Sequence, residues 1–303
     1  MLEGFTAGMF DSGGVGIAYW TKGNGPPLLL IHGYPQTHVM WHKQAGALSE
    51  RFTVVAPDLR GYGDSAKPPG DADHATYSKR TMAADLVGVM AHLGHDAFMV
   101  AGHDRGARVA YRMALDHPAA VTRLAVLDIV PTKAIFDATD RTIATAYFHW
   151  FMLIQPAPIP ETLIGGAPDT WLDMAFGGWA ADKGAFTPDA RAEYRRGFAT
   201  TEGIHATCED YRAGASIDYA HDAATLAAGD KVAVPLLVLW GGRGLVGKRF
   251  DPLAVWREYA DDVRGHALPC GHFLPEEAPA ETLAALVGFF DDKIRAVGSV
   301  KPA

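Results

Sequence analysis

The sequence predicts an α/β protein in which a mostly parallel sheet, flanked by helices, is interrupted by a helical insertion. Three observations carry this. Continuous apolar runs recur between helix-like stretches, a glycine-flanked turn follows one of those runs, and the repeat stops from about residue 131 to about residue 225. A run that is apolar at every position, rather than at every second one, suits a strand covered on both faces, as strands are in a parallel sheet wrapped by helices.

Taken in order, the runs are Pro27-Leu-Leu-Leu-Ile-His, Phe52-Thr-Val-Val-Ala-Pro, Phe98-Met-Val-Ala-Gly and Leu124-Ala-Val-Leu-Asp. The pattern returns at Pro235-Leu-Leu-Val-Leu-Trp and Gly265-His-Ala-Leu-Pro. A final helix is marked by Leu283, Leu286, Val287, Phe290 and Ile294 at helical spacing. The stretch between is rich in aromatics and turn residues (Tyr147-Phe-His-Trp-Phe, Pro156-Ala-Pro-Ile-Pro, Gly177-Gly-Trp) and has no strand-like repeat. It reads as helices laid over the sheet edge. The expected organisation is a first core part over 1–131, a helical lid over 132–225 and a second core part over 226–303.

With 303 residues, 49% hydrophobic and 20% charged, the chain can bury a sizeable core. Its net charge of -8, with no Lys/Arg run, argues against a nucleic acid or an anionic membrane as partner. Cys208 and Cys270 have neither disulfide-scaffold nor metal-ligand spacing, so a reducing compartment is the simpler expectation. Met1-Leu-Glu-Gly-Phe places an acid where a secretory signal needs a basic start, and no apolar run reaches spanning length. The expectation is a soluble cytoplasmic protein.

In open parallel sheets ligands bind beyond the carboxyl ends of the strands. That rule selects His32-Gly33-Tyr34-Pro35, Gly102-His103-Asp104-Arg105-Gly106, Asp128 and His272. Gly-x-nucleophile-x-Gly describes a sharp strand-to-helix turn, and here its central residue is a carboxylate instead of serine. An aspartate oxygen can displace a leaving group from saturated carbon, forming an ester that water must then cleave. Asp104, Asp128 and His272 follow the chain order nucleophile, acid, histidine. His272 would activate the water, and Asp128 would fix its tautomer and stabilise the imidazolium. An acid after the next strand could serve the histidine instead, but Trp240-Gly-Gly-Arg-Gly-Leu-Val offers no carboxylate until Asp251, which favours Asp128.

Arg105 and Arg108 open the elbow helix, where two cations oppose the helix dipole and repel each other, so an anion is expected nearby. That anion is either an acid from another element or, as the position beside the nucleophile favours, a substrate carboxylate gripped by both guanidiniums. The backbone N–H groups of Tyr34 and Arg105 are expected to form an oxyanion site around the carboxyl under attack. The segment Asp58-Leu-Arg-Gly-Tyr-Gly-Asp-Ser65 reads as a structural turn whose charges brace loops. His149, Trp150 and Tyr211 would by default be packing in a lid, yet they supply N–H and O–H donors suited to a leaving halide in a dry pocket.

On His32-Gly-Tyr-Pro, Asp58-Leu-Arg-Gly-Tyr-Gly, Gly102-His-Asp-Arg-Gly, Arg112-Met-Ala-Leu-Asp-His-Pro, Val126-Leu-Asp-Ile, Tyr147-Phe-His-Trp, Gln155-Pro-Ala-Pro and Asp210-Tyr-Arg-Ala-Gly, the chain closely resembles the haloacetate dehalogenases of the α/β-hydrolase fold, through most of its length. The resemblance implies Asp104 as nucleophile, His272 as base, Asp128 as its partner, Arg105 and Arg108 on the carboxylate of a small haloacid, and His149, Trp150 and Tyr211 on the departing halide. It implies a homodimer needing no metal or organic cofactor. Phe176-Gly-Gly-Trp179 looks shifted relative to the family's lid, which leaves Trp179 without a role. Two rivals stand beside this reading. An epoxide hydrolase shares the aspartyl nucleophile and could offer Tyr147 and Tyr211 to the epoxide oxygen, but would leave the paired arginines without a purpose. A non-catalytic ligand-binding protein shares the fold, against which the intact Asp, Asp, His set argues.

Overall fold

Strands β1 (Thr6–Ser12), β2 (Val15–Lys22), β3 (Pro27–Ile31), β4 (Thr53–Pro57), β5 (Phe98–His103), β6 (Val121–Leu127), β7 (Leu236–Gly241) and β8 (Val263–Leu268) form one sheet in the order β1-β2-β4-β3-β5-β6-β7-β8. This computed structural model describes residues 2–297, and side chains through residue 291. The pairs from β4-β3 through β7-β8 are parallel, and β1-β2 and β2-β4 are antiparallel. Every residue of β5 is buried, because helices cover both faces of the sheet centre; the same cause makes the run apolar throughout.

The six expected strands are present, with ends shifted by up to three residues. The hairpin β1-β2 was not expected. Its first strand is largely exposed and therefore lacks a continuous apolar run. The two-residue turn, Gly13-Gly14, has positive φ at both positions, as a tight hairpin requires.

On the sheet lie α1 (Lys79–His92) and α2 (Arg105–Asp116), and between β6 and β7 the chain forms eight helices and no strand. Three of the eight shape the site: α3 (Phe148–Leu153), α4 (Pro168–Trp179) and α5 (Thr201–Ala215). Eleven of the fifteen residues of α5 are buried, since it runs along the junction of insertion and sheet. In the last helix, α6 (Pro279–Val297), Leu286 and Phe290 enter the core while Leu283 and Val287 pack partly buried against it. The side chain of Ile294, like residues 298–303 of the expected second core part, lies outside those described. The carboxyl ends of β3, β5, β6 and β8 all point to one edge, so the residues that follow them meet there.

Candidate active site

The elbow holds Asp104 at φ 48°, ψ -119°, a backbone state that costs an L-residue on the order of 1–3 kcal/mol and persists only where its surroundings enforce it. The enforcement is visible at the flanking glycines. A Cβ on Gly102 would lie 2.6 Å from the Gly106 carbonyl oxygen, and one on Gly106 would lie 2.1 Å from that of His32. The close approach of α2 to β3 brings the Tyr34 N–H to Asp104, where it donates to Oδ1 at 2.9 Å. The other oxygen, Oδ2, faces His272 Nε2 at 3.8 Å.

His272 Nδ1 lies 2.7 Å from Asp128 Oδ2, and Asp128 Oδ1 accepts the Gly241 N–H at 2.8 Å. Burial disfavours an imidazolium here, but the Asp128 hydrogen bond and charge, with that of Asp104, outweigh it and raise His272 above the usual histidine range. Burial likewise opposes ionisation of Asp104, yet the charges of His272, His103, Arg105 and Arg108 hold its carboxyl below the ordinary carboxylate range. A carboxylate oriented by one N–H, with its free oxygen facing a histidine, is arranged as a nucleophile whose ester can be hydrolysed in place.

The two arginines differ. Arg105 presents Nε and Nη2 to Asp210 at 3.1 and 2.6 Å, and Nη2 also donates to the Asp210 carbonyl oxygen at 2.6 Å. The bland alternative of an acid from another element thus holds for one edge of Arg105, and Nη1 is left over. Arg108 has no carboxylate within 4 Å among the described residues: Nη1 donates to the Val130 carbonyl oxygen and to Thr132 Oγ1, both at 3.1 Å, and Nε is unpartnered. It is 2% exposed, so water does little to solvate its charge.

The aromatic cluster closes the site from the insertion. The Trp150 and Tyr211 rings are 6.0 Å apart, Tyr211 and His149 5.8 Å, and the Arg105 guanidinium sits 4.3 Å from the Tyr211 centroid while that of Arg108 sits 4.8 Å from Trp150. Burial pushes His149 down to about 3, so its ring is neutral at physiological pH and carries a single N–H. Its Nδ1 makes no hydrogen bond.

Four contributors were missed from the sequence. The Trp179 ring lies 4.3 Å from His149 and 5.9 Å from His272, and its carbonyl oxygen accepts the His272 N–H at 3.1 Å. Its only signal was Gly177-Gly-Trp, which reads as turn residues in the sequence but forms the last turn of helix α4. His103, driven by burial down to about 3, places Nε2 2.7 Å from the His272 carbonyl oxygen and so braces the loop that carries His272. Asp210 and Lys79 form a buried ion pair that anchors Arg105. The turn at Asp58 is structural: Oδ1 accepts the His38 N–H at 2.8 Å, Oδ2 accepts that of Asp64 at 2.8 Å, and Arg60 forks onto Asp85 at 2.6 Å through two nitrogens. Among the described residues no group of three or more His, Cys, Asp or Glu is arranged to hold a metal ion.

The chain as a whole is similar to known proteins. A fluoroacetate dehalogenase from Burkholderia sp. is 45% identical over 96% of each chain. A soluble epoxide hydrolase from Corynebacterium sp. (strain C12) is 35% identical over 90% of this chain and 92% of its own. A solved structure from Nostoc sp. PCC 7120, assigned to the alpha/beta hydrolases, superimposes with a TM-score of 0.94 at 54% identity, covering 96% of this chain and 100% of that one. Together with a family model for the alpha/beta hydrolase fold that matches residues 26–279, these show that the chain belongs to the alpha/beta hydrolase family.

Proposed function

We propose that this chain is a haloacetate dehalogenase, converting fluoroacetate or chloroacetate and water to glycolate, halide and a proton through an ester on Asp104. The observation that carries the reading is Arg108, a buried guanidinium with no carboxylate partner on the first turn of the helix that bears the nucleophile. A small substrate carboxylate supplies the missing charge, and the free Nη1 of Arg105 provides a second donor. The 45% identity to a fluoroacetate dehalogenase supports the same assignment.

With the carboxylate so held, Asp104 Oδ2 attacks the carbon bearing the halogen. The carbon–halogen bond breaks with its electron pair, and the buried N–H and O–H donors of His149, Trp150 and Tyr211 stabilise the departing anion. His272, neutral, then takes a proton from water as the oxygen adds to Cγ of the ester. The developing oxyanion is Oδ1, already held by the Tyr34 N–H, with the Arg105 N–H as the expected second donor. Collapse breaks the Cγ–O bond to glycolate, whose oxygen takes the proton from His272, and the second proton of the water leaves the Asp104 carboxyl for solvent, which restores the carboxylate. Lid residues 132–225, a homodimer and a cytoplasmic location belong to the same reading. Apolar Phe148, Ile159 and Leu163, exposed on the insertion, support self-association, and Cys208 and Cys270, both buried and unbonded, suit a reducing compartment.

The test is halide release from fluoroacetate, chloroacetate and a simple epoxide side by side, with mass spectrometry of a His272→Asn variant after exposure to each. Halide release by the wild type and an Asp104 peptide heavier by one carboxymethyl group in the variant are expected. Epoxide turnover without halide release would instead make the chain an epoxide hydrolase.

A further inference from the structure

A cavity of 460 Å3 opens on His272, and its only other charged lining residues are Arg243 and Lys248, beside Tyr147, Trp179 and Gly244. Both cations are exposed, and neither has an ion-pair partner within 4 Å among the described residues, whereas the adjacent Arg249 is paired with Asp140 at 2.5 Å. Glu277, which reaches the lining residue Ala181, spends its carboxylate on the N–H groups of Gly271, Ala181, Asp182 and Phe273, at 2.7–3.0 Å. The backbone of Arg243 is fixed rather than trailing. Its N–H donates to the Cys270 carbonyl oxygen at 3.0 Å, and a Cβ on the next residue, Gly244, would lie 3.6 Å from Asp128 Oδ2. Two unpaired cations therefore stand at the mouth of the site, next to the catalytic carboxylate–histidine pair, on a chain whose net charge is -8.

We propose that Arg243 and Lys248 form a cationic vestibule that draws small carboxylate anions to His272 and Asp104. The inference rests on the haloacetate reading, since the organic substrate and both the glycolate and halide products of that reaction are anions. At long range the molecule repels such an anion, and a local positive rim beside low-dielectric walls reverses the field where it matters for entry. Neither side chain is assigned to the chemistry, so removing them acts on capture and leaves the bound reaction intact.

The experiment uses the Arg243→Gln/Lys248→Gln variant of the full chain. On chloroacetate, kcat/KM falls about tenfold at low ionic strength with kcat retained, and the gap closes near 0.5 M salt, where the Debye length is only a few ångströms. An unchanged kcat/KM, or a loss that persists at high salt, overturns the vestibule while the wild type still releases halide. A second measurement does not depend on turnover. Trp179 lines the cavity, so quenching of tryptophan fluorescence by iodide drops in the variant while quenching by neutral acrylamide stays the same. If the wild type is inert toward every haloacid, the functional reading fails, and this pair of quenchers still decides the vestibule: equal iodide quenching of both proteins overturns it.

Discussion

At the residue scale the site separates two tasks that one sequence motif runs together. Arg105 and Arg108 are three residues apart, yet one is committed to Asp210 and the other has no carboxylate within 4 Å among the described residues, a division that depends on a residue more than a hundred positions away. Trp150 shows the same dependence on context, since an indole in a lid is ordinarily packing and here its ring faces both guanidiniums. Fluoride concentrates its charge on one small atom and is the poorest leaving group among the halides, so its departure gains most from fixed donors. Trp150→Phe keeps the ring and deletes the N–H; kcat/KM on fluoroacetate is expected to fall roughly 10²–10³-fold, as on losing one oxyanion-type donor, and far less on chloroacetate. Equal losses on the two substrates would make Trp150 a packing residue. His272 gives a second expectation. As the proposed base it acts in its neutral form, and Asp128 raises its pKa against burial, so kcat for ester hydrolysis should decline on the acid side of a value above the usual histidine range. In Asp128→Asn burial is left unopposed by that partner, and the acid limb of the pH profile moves to lower pH while kcat drops; a limb that stays in place would mean another group titrates there.

Elements show what a sequence discloses and what it withholds. The six strands of the parallel part were legible because burial on both faces leaves no polar position to interrupt the run, and the elbow was legible because its glycines have a steric duty. The β1-β2 hairpin escaped because exposure removes the apolar signal, although Gly13-Gly14 marked its turn. Trp179 escaped for another reason: an α4 residue meets His149 and His272 only through the path of the intervening chain, which no local pattern encodes. Glycines give a direct test of which backbone positions are tight. Gly106→Ala would drive a methyl against the His32 and Ile31 carbonyl oxygens of a buried strand, so a loss of about 1–3 kcal/mol is expected, with a larger loss of activity because Tyr34 follows that strand. Gly177 lies in helix α4, where an added methyl would meet nothing within 4 Å, and Gly177→Ala should stabilise by about 0.5–1 kcal/mol. Urea unfolding of the two variants is the measurement, and the same sign in both would refute the steric account.

For the whole molecule, the question is what keeps the helical insertion seated on the sheet. Packing contributes along α5, but the directional link is ionic: Asp210 on α5 accepts from Arg105 at the elbow, from Lys79 at the start of α1 and from the Tyr62 hydroxyl at 2.6 Å. Buried, the Asp210 carboxyl would resist ionisation, but the charges of Arg105 and Lys79 overturn that and hold it far below the usual carboxylate range. Such a cluster joins the insertion to two core elements and fixes the guanidinium beside the nucleophile in the same contact. Asp210→Asn would leave Arg105 buried without its counter-ion and Lys79 with only the more distant Asp218 carboxylate, at 3.7 Å, and a cost of about 3–5 kcal/mol is expected at pH 7. Because the folded pKa is depressed, the stabilisation is present above the unfolded value near 3.9 and is lost as pH falls through the folded one, so the gap between wild type and variant should narrow on going from pH 7 to pH 3. Removing one stranded cation, in Asp210→Asn/Lys79→Met, should recover part of the loss without restoring haloacid turnover, because Arg105 still lacks its anchor. Urea midpoints at the two pH values and KM for chloroacetate check this: a gap that does not change with pH, or a double variant with normal KM, would show that apolar packing rather than the Asp210 cluster seats the insertion and orients Arg105.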